Sequence, residues 1–196
     1  MKTLIFAALL LLAQASSLCA QSKNISIPSI PTDMDKFTQL RDQTAISPEG
    51  GAAIFVVAML MYSQDADLGM QAFTVALDQS RIVEGNIYKG FAPVSGAKYD
   101  IENYYGKHKD HLGNSYIVGT KTADNYKLGK LAYKMEFSRN KYTEQSNGAM
   151  RIFIKCNGAS SPRPITLKQN DKGIWKVSEF SSLFVGVAKP VGKDRL

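Results

Sequence analysis

The sequence predicts an α+β fold in which N-terminal helices pack on one face of a C-terminal antiparallel meander sheet, a sheet that can curve into a cone-like shape. Three observations carry this. Ser47-Pro48-Glu49 starts a helix ahead of the apolar run Ala52 to Tyr62, segments with helical apolar spacing flank that run, and period-two alternation is confined to the last third of the chain. A chain of 196 residues with net charge +7 and 44% apolar residues is neither a disordered polyelectrolyte nor a collagen-like repeat, and reads as one globular domain.

Residues 1–20 are expected to be a secretory leader. Lys2 supplies the positive start and Leu4 to Ala13 the apolar core, with cleavage after Ala20 or, alternatively, after Ala15. Export then places the protein in a periplasmic or extracellular compartment. Cys19 raises the question of a lipid anchor, but Leu18 stands where a small residue is needed, which disfavours lipidation. Loss of Cys19 leaves Cys156 alone, so no internal disulfide forms; its alternation with Met150, Ile152 and Ile154 makes it a small core residue. No run after the leader approaches the ~18 apolar residues of a membrane span.

Residues 21–31, with two prolines and no helical period, are expected to be an extended lead-in and linker. Thr32 or Asp33 then caps a helix through Thr44 with Met34, Phe37 and Leu40 on one face. The second helix carries its capping hydroxyl at Ser47, its proline at the first helical position and an acid near its positive end. Because Ala52 to Tyr62 is apolar on all sides, this helix belongs in the middle of the domain. Gln64 to Asp67 makes a corner into a third helix through Leu68, Ala72, Val75 and Ala76. Gly85 to Lys130 is less patterned; it predicts a short helix around Ile101, Tyr104 and Tyr105 and a strand over Ser115 to Thr120. Alternation then gives four half-buried strands, Leu131 to Phe137, Met150 to Cys156, Ile165 to Leu167 and Trp175 to Val177, separated by Asn147-Gly148, Asn157-Gly158 and Asp171-Lys172-Gly173 turns. Phe180 to Val187 is expected to add a strand or cover an edge. The single domain runs over 32–190, with 191–196 as a tail.

The stretch Ser161-Pro162-Arg163-Pro164-Ile165-Thr166-Leu167-Lys168, with Gly173-Ile174-Trp175-Lys176-Val177 and the earlier Ser47-Pro48-Glu49-Gly50-Gly51 and Phe137-Ser138-Arg139-Asn140-Lys141-Tyr142, resembles a family of exported bacterial proteins catalogued as a domain of unknown function. The likeness runs from about Ile30 to Pro190 and implies export and one whole-chain domain, without an activity. A weaker likeness, carried by Gly-x-Trp-Lys-Val, is to the cone-shaped nuclear-transport-factor-2-like fold, which implies a pocket between helices and sheet and hosts enzymes and non-enzymes alike.

From Lys127 to Lys176 there are eleven Lys and Arg against three acids. Strand alternation puts Lys134, Arg151, Lys155, Lys168 and Lys176 opposite the apolar positions with Phe153 among them, a positive face suited to an anionic glycan, a lipid headgroup or another envelope component. A merely solvated face is the competing account. Nucleic acid is disfavoured because no recognition motif accompanies the charge. Tyr104 and Tyr105 belong to a tyrosine-rich middle of the kind on which sugar rings stack, although core packing explains most such rings. His108 and His111, three apart with Asp110 between, are weak metal candidates, since flanking lysines repel a cation and no Cys completes a shell; no metal or cofactor is expected. Gly50-Gly51 lacks the Lys-Ser/Thr ending of a phosphate loop and reads as a cap with close packing. The sequence reading is an exported binding module with no catalytic constellation and an undetermined oligomeric state. A small-pocket enzyme using the histidines or a tyrosine, and an envelope-assembly subunit marked by an apolar patch at Phe180 to Val187, are its alternatives.

Overall fold

The computed structural model describes residues 22–145 and 147–191; the expected leader, Cys19 and all of the tail beyond Val191 lie outside these. The stretch ahead of the first helix is extended, but it is not free chain. Ser22–Ile27 forms strand β1, paired antiparallel with Tyr133–Ser138 so that Ile25 faces Met135 and Ile27 faces Tyr133. Ile27 is fully buried, and a paired strand that buries an isoleucine belongs to the domain rather than to a linker. Its two isoleucines are a short alternation whose partner lies over a hundred residues away, so the local pattern carried no sign of pairing.

Helix α1 (Met34–Thr44) starts where Asp33 accepts the Lys36 amide at 2.8 Å. Helix α2 (Pro48–Gln64) starts where Ser47 accepts the Gly50 amide, and all its residues from Pro48 to Tyr62 are buried, as its uniform apolarity requires. Asp65 closes α2 and caps α3 (Ala66–Ala76) by accepting the Leu68 amide at 3.0 Å. The hairpin of β2 (Ile82–Tyr88) and β3 (Phe91–Pro93), in the stretch that sequence periodicity left unassigned, turns through Lys89 and Gly90, both at positive φ. Helix α4 (Ser95–Tyr99) widens into a π-helical turn at Asp100–Tyr105, and α5 (Lys109–Leu112) follows a single 3₁₀ turn.

Residues 115–120 are not the expected strand. They leave a 3₁₀ turn at Asn114–Tyr116 and bend; Ser115 Oγ donates to the Leu112 carbonyl and Thr120 Oγ1 to that of Ile117, local bonds that compete with ladder pairing. Only Val118 reaches the sheet, its amide donating to Lys134 O at 2.8 Å.

The four-strand meander is present as β4 (Tyr133–Ser138), β5 (Met150–Ile154), β6 (Arg163–Gln169) and β7 (Trp175–Glu179), and with β1 the sheet order is β1-β4-β5-β6-β7, antiparallel throughout. Met135, Phe137, Ile152, Ile154, Ile165, Leu167 and Val177 point to the helices and are buried. Phe180 to Val187 neither adds a strand nor caps an edge. Phe180, Leu183 and Phe184 turn into the core, where Phe180 lies 5.0 Å from Phe55 and Phe184 5.3 Å from Tyr105, so the apolar patch expected there is largely interior. The β7 edge is occupied instead by Ala45, whose carbonyl accepts the Trp175 amide, and by Asp78, whose amide donates to Val177 O. Among the described residues no helix is long and apolar enough to cross a membrane.

Candidate functional site

The sheet has one face on α2 and one face toward solvent. On the solvent face, register places Ser138 beside Phe153 and Phe153 beside Pro164, Arg151 beside Thr166, and Lys168 beside Lys176. Arg151, Phe153 and Lys155 are successive outward residues, spaced about 7 Å along one strand. Lys134, Arg151 and Lys155 are exposed and Phe153 and Lys168 half-buried, so five of the six strand residues predicted for a cationic face do share one. Lys155 is paired with Glu136 at 3.0 Å. Lys134, Arg151 and Lys168 have no carboxylate partner within ion-pair distance among the described residues. Beside the Glu136–Lys155 pair a pocket of about 290 Å³ opens between Ser138 and the Ala159–Pro162 loop.

Lys176 departs from the expected role. Its side chain leaves the face and its ammonium donates to the Val75 carbonyl at the end of α3. Burial lowers its pKa to about 8, an effect that Arg41 reinforces and that Asp42 and Asp78 oppose. Alternation assigned its side of the strand correctly; it could not show that α3 ends against this edge strand. A lysine that gives up its proton more readily when folded makes the unfolded chain the stronger proton binder. Stability is therefore expected to rise with pH from about 8 toward the ordinary lysine value, and Lys176→Met to remove that contribution; urea melts at pH 7.5 and 9.5 read the slope.

Tyr105 also departs from the expected role. It is fully buried, its hydroxyl donates to Met59 O at 2.5 Å and meets Ser63 Oγ at 2.8 Å, and burial pushes its phenol well up. The wider π turn sends Tyr105 into the core and leaves its neighbour Tyr104 49% exposed, edge-on to Tyr99 at 6.0 Å between ring centres. Tyr116 and Tyr126 are core tyrosines too, donating at 2.7 Å to Leu183 O and Ala188 O and so fastening the C-terminal segment.

Tyr104, His108 and His111 lie together along that segment. They line a pocket of about 240 Å³ with Val185, Val187 and Lys189. The imidazoles stand 5.8 Å apart, and His111, nearly buried, stacks on Tyr126. Burial lowers the His111 pKa; His108 and Lys189 lower it further while Asp110 opposes them. Among the described residues no three His, Cys, Asp or Glu side chains are placed to hold a metal ion. Cys156 is buried against Ser115 Oγ at 3.4 Å.

Sequence reasoning missed a buried ion cluster at the start of α2. Glu49, 1% exposed, accepts from Arg139 Nε at 2.5 Å and Nη2 at 3.0 Å, with Lys23 of β1 at 3.5 Å. It ties the helix start to two strands. Gly50 and Gly51 are close-packing residues, as expected: a Cβ on Gly51 would lie 2.6 Å from Trp175 O.

Against known families, the profile of one described as a domain of unknown function (DUF6935) matches residues 29–191. No curated protein and no solved structure matches.

Proposed function

Since the chain belongs to the DUF6935 family, whose description assigns no activity, we propose from its geometry that it is an exported, non-catalytic domain whose uncovered sheet face holds an acidic polysaccharide. One observation supports this above the rest: Lys134, Arg151 and Lys168, with no carboxylate partner among the described residues, are spread across the face opposite α2, with Phe153 next to Arg151 and a pocket at its margin. The paired strands fix where these groups stand, so a polymer carrying many carboxylates meets several cations without reordering the backbone. Phe153 offers a sugar ring an apolar surface between Arg151 and Lys155.

Polygalacturonate titrated into the leaderless chain tests the reading. Its affinity is expected to fall as salt rises, and Lys134→Glu with Arg151→Glu and Lys168→Glu to weaken it at least about tenfold, because exposed charges act within a short screening length. Lys176→Gln, on a side chain turned to α3, is expected to leave it unchanged. Binding that ignores both salt and the triple variant overturns the proposal, as does retention on anionic vesicles with none on the polysaccharide.

A further inference from the structure

A second site stands apart from the sheet face. The groove along the C-terminal segment has two different ends. At one, His108, His111 and Lys189 converge on a pocket of about 240 Å³; at the other, past Tyr104, Phe184 and Val185, a depression of about 340 Å³ continues to Asp100 and Ser182. Tyr104 and Val185, 49% and 50% exposed, form an apolar wall shared by both. Neither imidazole has a hydrogen-bond partner among the described residues, so the ring nitrogens are free to donate into the groove.

We propose that this groove binds a small ring carboxylate, with the carboxylate held by His108, His111 and Lys189 and the ring laid on Tyr104 and Val185. The chemistry of the walls selects it. A metal ion is disfavoured by Lys189 and by the want of a third ligand among the described residues, whereas an anion meets the Lys189 ammonium and the ring nitrogens of His108 and His111. His111 is held in place by its stacking on Tyr126, and the strap that carries Lys189 is fastened by the Tyr126 hydroxyl on Ala188 O. One ring thus positions both sides of the anion end. The groups facing His111 are His108 and Asp110 from its own segment, Tyr126 beneath it and Lys189 across the groove. Burial first, then His108 and Lys189, make it harder to protonate in the empty site while Asp110 opposes them, and a bound carboxylate favours the protonated ring. Binding therefore strengthens as pH falls through the imidazole range, and the bound anion raises the histidine pKa by linkage.

Benzoate is the probe, with acetate supplying the charge without the ring and benzyl alcohol the ring without the charge. Imidazole and tyrosine resonances of the leaderless chain are followed by NMR at about pH 5.5 and about pH 8. Benzoate is expected to shift the signals of His108, His111 and Tyr104, to bind at least about tenfold more tightly at the lower pH, and to move the His111 titration upward; either fragment alone binds more weakly. Lys189→Glu, an exposed substitution that leaves the core intact, removes the binding, and His111→Gln removes much of its pH dependence. The proposal is overturned if benzoate leaves these three residues unmoved, if it shifts the sheet-face residues instead, or if its affinity is indifferent to Lys189→Glu. Failure of the polysaccharide reading changes none of these outcomes, since the variants and the reporting residues are separate.

Discussion

Replacing Arg139 by methionine is expected to lower stability by about 3 kcal/mol, read as a loss of about 10 °C in Tm. The cause is the carboxylate left behind. Glu49 is buried at the first turn of α2, and both of its oxygens accept from the Arg139 guanidinium, with Lys23 alongside. Burial alone would push the Glu49 pKa up; the Arg139 hydrogen bonds, a bond from its own backbone and the charges of Arg139 and Lys23 outweigh it and hold the carboxyl below its ordinary value. Without the guanidinium the desolvation cost stands uncompensated. Glu49→Met with Arg139→Met is expected to cost less than Arg139→Met alone, because no orphaned charge remains, and a double-mutant cycle measures the coupling. The sign with pH follows from the depressed pKa. The stabilisation is fully present above the unfolded carboxyl's value, near 4.5, and is lost as pH falls through the lower folded value, so acid melts of the wild type and Arg139→Met converge. If Arg139→Met melts with the wild type at neutral pH, the cluster contributes nothing.

Gly69→Ala and Gly50→Ala are each expected to destabilise by about 3 kcal/mol, although glycine to alanine within a helix ordinarily stabilises. Packing inverts the sign. A Cβ on Gly69 would sit 2.1 Å from Tyr62 Cα, so α2 and α3 must separate to admit it. A Cβ on Gly50 would sit 1.7 Å from the Thr44 carbonyl oxygen, which belongs to the end of α1. Neither obstacle is a flexible side-chain tip. Gly96 of α4 has nothing within 4 Å of the same position and serves as the control, expected to stay neutral or gain slightly. Thermal melts of the three variants decide this, and equal Tm values across them contradict it.

The candidate sites were legible to different depths. Alternation alone placed Lys134, Arg151, Phe153, Lys155 and Lys168 on one side of the sheet, because a strand's side chains must alternate whatever surrounds it. It misjudged Lys176 because the neighbour that captures its ammonium, Val75, is a hundred residues earlier. Tyr104 and Tyr105 were indistinguishable by composition, and only the π turn, a departure from the regular helical period, decides which ring is core and which is groove wall. His108 and His111 were visible as a pair, but Lys189, which lines the same pocket, comes from the far end of the domain.

Near neighbours along the chain account for the capped starts of α1 and α2, the burial of α2 on all sides, the corner at Asp65, and the four strands with their glycine turns. Caps, helical stripes and pleats repeat over a few residues, so the pattern contains its own cause. The tertiary structure decided what depends on distant partners. It added β1 to the sheet, bent residues 115–120 away from it, folded Phe180 and Phe184 inward, joined Glu49 to Arg139 and brought the histidines to the C-terminal strap. Those contacts join segments tens of residues apart, and an apolar or charged residue is written the same way whether its partner is water, a strand or a strap.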